Sequence, residues 1–100
     1  MKAISKVKEF SGDENHKSVK ALIGQEELAG KKKILEYLKS FEADCAAGMS
    51  LQDEITGEYV DSGVLGFEDG QYYWDTREIY HFEKYNMQLE DEFVKYVLNR

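Results

Sequence analysis

A chain of 100 residues with 42% apolar and 33% charged side chains, and no proline, is enough for one globular core and excludes a disordered tail or a proline-rich linker. The formal net charge of −7 is unevenly spread: residues 1–39 carry a net of +3, residues 40–75 hold nine carboxylates and no lysine or arginine, and residues 76–100 carry a net of −1. Such a field over 40–75 disfavours nucleic acid and anionic membranes and favours a basic protein partner, the plainer reading being a solubilising surface.

A single cysteine, Cys45, excludes an internal disulfide and fits a reducing compartment. The opening MKAISKVKEF lacks the apolar run of a signal peptide, and no stretch approaches the ~18 apolar residues of a membrane helix. The expectation is a cytoplasmic protein with one domain over 1–100.

In chain order, residues 1–30 are the least patterned. Ile4 and Phe10 sit at even positions, but Val7 breaks the period, so an edge strand and a loosely ordered arm both stand. Residues 11–17 read as a polar loop, and 19–23 as a short apolar strand or one helical turn. Ile34, Tyr37, Leu38 and Phe41 recur at i, i+3, i+4 and i+7, which predicts a helix over 31–41 with lysines on its other face. Cys45, Ala47, Met49 and Leu51 alternate with smaller or polar residues, which predicts a strand near 44–51 and a small buried Cys45. Gln52 to Ile55 can pair with Tyr59 and Val60 across the turn Thr56-Gly57-Glu58, and 61–63 reads as a loop.

Residues 64–67 and 71–74 read as two short strands joined at Asp69-Gly70, the strongest short hairpin signal, for which a type I′ turn is expected. Tyr72 and Trp74 point to one side of the second strand, toward the core, and Tyr73 to the other. Asp75 and Glu78 have the spacing of a capping box, so a helix is expected over 76–85, with Ile79, Phe82 and Tyr85 inward and His81 on the polar side. Asn86 suits a left-handed stop, and Leu89, Phe93 and Val97 mark a last helix over 90–98.

Little here carries chemistry. Cys45 has no base linked to it, since His16 lies in a polar loop and His81 on an outer helix face. One cysteine and two scattered histidines do not make a zinc site. Asp53, Glu54, Glu58 and Asp61 lack the alternation and glycine placement of a calcium loop. Twenty acids always offer carboxylate pairs, so a pair is no signal of acid–base catalysis. No phosphate-binding glycine loop is present. The residues read as non-enzymatic, with no cofactor and no metal.

The segments ILEYLKS (34–40), ITGEY (55–59), DGQYYW (69–74) and IYHFEKYNMQLEDEFVKYVL (79–98) resemble a set of small uncharacterised bacterial proteins. These share an Asp-Gly-aromatic-Trp hairpin, a Tyr-rich helix and a closing helix. Glu90 stands where that pattern has a proline after Leu89. In size and charge such proteins are similar to the immunity partners of bacterial toxins, an association at the level of likeness only.

The expected fold is α+β: an antiparallel sheet of three or four short strands, packed by one helix before it and a helical hairpin after it. The expected function is an acidic binding protein, most concretely an immunity protein that blocks a basic toxin, with Asp53, Glu54, Glu58, Asp61, Glu68, Asp69 and the aromatic Tyr73 as contacts. The alternative is a small ligand-binding or enzymatic domain with an aromatic pocket between sheet and helices near Tyr73 or His81.

Overall fold

The amphipathic stretches at 31–39, 76–85 and 91–98 fold as helices against one four-stranded sheet in a computed structural model that describes all of residues 1–100. The order is β1 (Lys2–Ala3), α1 (Lys8–Ser11), α2 (Val19–Leu22), α3 (Lys31–Lys39), β2 (Cys45–Gln52), β3 (Tyr59–Glu68), β4 (Tyr72–Asp75), α4 (Thr76–Tyr85) and α5 (Asp91–Leu98). The fold is therefore α+β. No helix is long and apolar enough to cross a membrane.

The sheet runs β1-β4-β3-β2 and is mixed, which corrects the expectation of a purely antiparallel one. β3 pairs antiparallel with both neighbours, whereas β1 lies parallel to β4 with Lys2 opposite Tyr72 and Ala3 opposite Tyr73. β1 joins the sheet from far along the chain, so no hairpin dictates its direction. Running parallel, it puts Ile4 into the core at 0% exposure and carries Ser5 to the start of α4. Of the first residues only Lys2–Ala3 form an edge strand, and Lys8–Ser11 is a helical turn.

Trp74 is the centre of the core. Its Nε1–H donates to the Leu38 carbonyl at 3.3 Å, the ring of Phe41 meets it edge-on at 5.4 Å, and Phe67 stacks on it at 6.3 Å. Tyr72 packs against Phe93 and Tyr96 at 5.0 and 4.9 Å. Ile34 and Leu38 of α3, Ile79 and Phe82 of α4, and Phe93 and Val97 of α5 are buried in the same cluster as Ile4, Val7, Val19 and Leu22. Each such side chain withdrawn from water contributes about 1.5–3 kcal/mol before chain entropy is set against it.

Local signals explain the joints. Asp75 Oδ1 accepts from the Arg77 N–H at 2.8 Å while Glu78 Oε1 accepts from the Asp75 N–H at 3.1 Å, which completes the capping box of α4. Asn86 closes α4 in the left-handed region at φ 54°. The hairpin turn differs from expectation: Gly70 is its first central residue at φ 94°, and Gln71, the second, is not at positive φ. That is the pattern of a II′ turn, not I′, because the turn spans 69–72 with the Asp69 N–H bonded to the Tyr72 carbonyl at 3.0 Å.

Residues 61–63, expected as a loop, are part of β3, which bends there because its register with β2 shifts on either side of the Ser50–Gly63 pair. Cys45 is exposed and not buried. Its alternation suggested a strand with one covered face. β2 instead lies at the sheet margin, and every residue from Cys45 to Ser50 is exposed, on both faces.

Candidate functional site

The seven residues expected to meet a partner divide into two sets with different roles. Asp53 and Asp69 turn inward. Glu58, Asp61 and Glu68 are exposed, Glu54 is half-buried, and Tyr73 is 48% exposed.

Asp53 and Asp69 are built alike. Asp53 follows β2 and is 2% exposed. Its Oδ1 accepts from the N–H groups of Ile55 and Thr56 at 2.8 and 3.0 Å, which shapes the 53–57 turn, and its Oδ2 accepts from the hydroxyls of Tyr80 and Tyr85 at 2.7 and 2.6 Å. Asp69 Oδ1 accepts from the N–H groups of Gln71 and Tyr72 at 2.8 and 2.7 Å, and its Oδ2 from the hydroxyls of Tyr37 and Tyr96 at 2.5 and 3.0 Å. In each case one oxygen holds a turn and the other pins that turn to two helical tyrosines. Burial pushes the Asp53 carboxyl up, but the bonds from Tyr85, Tyr80, Thr56 and Ile55 outweigh it and hold the group well below the usual carboxylate range. Asp69 is lowered in the same way, burial opposing bonds from Tyr37, Tyr72, Gln71 and Tyr96. Neither carboxylate is free for a partner, so both leave the contact set.

His81 is also corrected. It is 0% exposed, not on a solvated face, because the 53–57 turn folds over that side of α4. Its Nε2 accepts from the Glu54 N–H at 3.0 Å and its Nδ1–H donates to the Arg77 carbonyl at 2.7 Å, so both ring nitrogens are engaged. His16 lies in the 11–17 loop as expected, with Nδ1 2.8 Å from Ser11 Oγ and Nε2 3.5 Å from Asp13 Oδ2. Ser11 Oγ also accepts from the Asp13 N–H at 3.1 Å, so the three side chains tie one exposed turn together.

Glu78 is a buried ionisable group as well as the capping residue, which its spacing alone does not signal. It is 5% exposed, with Oε1 on the Asp75 N–H and Oε2 on the Ser5 hydroxyl. Burial pushes its carboxyl up to about 8, the Ser5 bond working against this and the nearby Asp75 carboxylate adding to it.

Shallow clefts of about 370 and 230 Å³ flank Tyr73 and share Tyr73, Asp75 and Arg77. Their strongest polar group is already committed. The Arg77 guanidinium is bonded to Asp75 at 2.8–3.3 Å, reaches the Phe10 carbonyl at 3.4 Å and lies over the Phe10 ring at 5.0 Å.

The surface left over is the ribbon of β2 and β3 with its hairpin tip. Of the six exposed large apolar side chains, four lie on the sheet: Met49 of β2, Tyr59 and Leu65 of β3, and Tyr73 of β4. Asp44, Glu58, Asp61 and Glu68 are exposed around them, and the first base after Lys39 is Arg77. These side chains do not make one patch: the register sets Leu65 on the side of Phe67 and Trp74 and Tyr73 on the other side with Glu68, so exposed apolar side chains stand beside carboxylates on both sides of the ribbon. Cys45, paired with Gly66, lies on the side of Tyr73, with its Sγ so close over Gly66 that a Cβ there would stand 2.7 Å from it. Cys45 is expected to react with a thiol reagent in the native protein nearly as fast as in denaturant. Protection of more than about tenfold would mean that the strand is covered in solution. Comparison of the chain with protein-family models, with curated proteins and with solved structures finds no match.

Proposed function

We propose that the chain is a non-enzymatic binding protein of the cytoplasm whose acidic ribbon engages a basic protein, most concretely a bacterial toxin that it blocks as an immunity protein. The carrying observation is the exposure along β2, β3 and β4 of Met49, Tyr59, Leu65 and Tyr73 together with Asp44, Glu58, Asp61 and Glu68, with no base on those strands. The carboxylates steer a cationic partner inward and repel acidic ones, and the apolar side chains then supply the desolvated centre of the contact. Occupying the partner's cationic site is the means of inhibition. An aromatic catalytic pocket has less to rest on, because His81 and Arg77 already have their partners inside the protein.

The test is co-expression with the product of the gene adjoining its own. Wild-type protein is expected to protect growth. The triple variant Glu58→Lys, Asp61→Lys, Glu68→Lys changes the charge by two at each position, from −7 to −1. It is expected to lose protection and to associate at least ~10-fold more slowly at low salt, with a flatter salt dependence. Equal association of variant and wild type, or no protection by either, overturns the proposal.

A further inference from the structure

We propose that the cleft beside Tyr73 receives one arginine side chain of the basic partner, its guanidinium laid on the Tyr73 ring and paired with the Glu68 carboxylate. This rests on the acidic-ribbon reading and names a contact by which that ribbon binds.

The hairpin sets the two groups side by side. Across the turn the Asp69 N–H donates to the Tyr72 carbonyl at 3.0 Å, and the next pair along the ladder is Glu68 with Tyr73. Bonded and unbonded pairs alternate in an antiparallel ladder, so Glu68 and Tyr73 form an unbonded pair, the kind whose side chains stand closest. Both are exposed, Tyr73 by 48%. On the same side the register sets Cys45, Gly66 and Asp75 in one row across β2, β3 and β4. Gly66 adds no side chain to that row, and with Ala47 and Val64 it leaves a low apolar floor in the cleft of about 370 Å³.

The charge of the cleft is unbalanced. Its one base, Arg77, is neutralised by Asp75 at 2.8 Å. The lysines of the neighbouring amino-terminal segment are also spent, Lys2 on Glu92 at 2.7 Å and Lys6 on Glu90 at 3.3 Å. None of the ion pairs in the protein involves Glu68. A guanidinium suits what is left. It is planar, so it stacks on an aromatic face, and its forked N–H groups meet a carboxylate two at a time. The methylene stem lies along the apolar floor while the head stays at the wet margin. A second copy of this chain cannot supply the group. Its two arginines are both engaged, Arg77 with Asp75 and Arg100 over the rings of Tyr37 and Tyr96 at 4.9 and 5.3 Å.

The probe is the capped peptide glycine-arginine-glycine, compared at low salt with the same peptide carrying citrulline, which keeps the shape of arginine and lacks its charge. Binding to the full chain is followed by the amide resonances and by those of the Tyr73 ring. The arginine peptide is expected to shift Cys45, Gly66, Glu68 and Tyr73 and to bind about tenfold more tightly than the citrulline peptide. Glu68→Gln and Tyr73→Leu are each expected to weaken it about threefold, and Glu58→Gln, at the other end of β3, to leave it unchanged. Equal binding of the two peptides, or shifts centred on Glu58 and Asp61 instead, overturns the arginine site and leaves the acidic reading standing. No binding of the arginine peptide overturns the site as well. The acidic reading is then decided separately, by whether the double variant Glu58→Lys, Asp61→Lys, in which Glu68 is intact, loses protection in co-expression. The peptide comparison uses only wild-type protein, so it decides the matter even if a variant does not fold.

Discussion

Asp53→Ala is expected to lower stability by about 3 kcal/mol, roughly 15 °C in Tm for a domain of this size. The mutation removes the acceptor of four strong hydrogen bonds at once, two from the 53–57 turn and two from α4. The N–H groups of Ile55 and Thr56 lose their partner, and the turn that covers His81 loses its tether. Asp53→Asn keeps one acceptor oxygen for the turn and is expected to cost about 1 kcal/mol. The pH dependence carries a separate signature. The Asp53 carboxyl lies lower in the folded chain than its ordinary 3.8, so it stabilises the fold at neutral pH, and that stability is lost as pH falls below about 4 toward the folded value. Both variants flatten this acid limb. Chemical unfolding against pH measures it, with Glu58→Ala as the control on the same segment. A cost for Asp53→Ala as small as the control's, within about 0.5 kcal/mol of wild type, would show that the two tyrosines hold the turn by packing alone.

The second large effect has the opposite sign. Glu78→Gln is expected to stabilise the protein above pH 8 by on the order of 4 kcal/mol, and to change little at pH 4. In the folded chain the carboxyl titrates near 8, against 4.5 when solvated, so the native state holds a proton that the unfolded state releases. Stability is therefore greatest below 4.5 as far as this group is concerned, and falls as pH rises from 4.5 to 8. The neutral acid accepts from the Asp75 N–H at Oε1 and bonds Ser5 through Oε2. Glutamine offers the same acceptor and a donor in place of Oε2–H, so the capping box survives while the burial penalty on charge disappears. Thermal melts across pH 5–9 read this directly: a wild-type Tm that declines through the range and a variant Tm that declines less. Parallel profiles would show that Glu78 stays ionised in the fold.

The parts of the fold that were legible in the sequence are those set by neighbours along the chain. The capping box at Asp75 and Glu78, the αL residue Asn86 and the apolar stripes of α3, α4 and α5 depend on spacings of three and four, and spacing is visible. The II′ turn was legible as a hairpin but not in its type, because the strand partner decides which two residues become central. Asp53 and Asp69 were legible as charge and not as anchors. Their hydroxyl donors arrive from 27 to 32 residues away, and nothing local marks a tyrosine that will reach a carboxylate. His81 was misplaced for the same reason: a helix has a solvent side only until another segment covers it. Cys45 shows the converse. Alternation reports a strand, but burial needs a layer on top, and a marginal strand has none.

The parallel pairing of β1 with β4 also has a consequence for how the chain comes to be folded. Lys2 and Ala3 have their partners at Tyr72 and Tyr73, and the Ile4 carbonyl waits for the N–H of Glu90. β1 thus cannot be placed until the chain through Glu90 has been made. Closing so long a loop is entropically slow. Ile4 and Val7 consequently lack their buried surroundings until residues 72–90 are present, so the native core forms late and cooperatively instead of growing outward from β1.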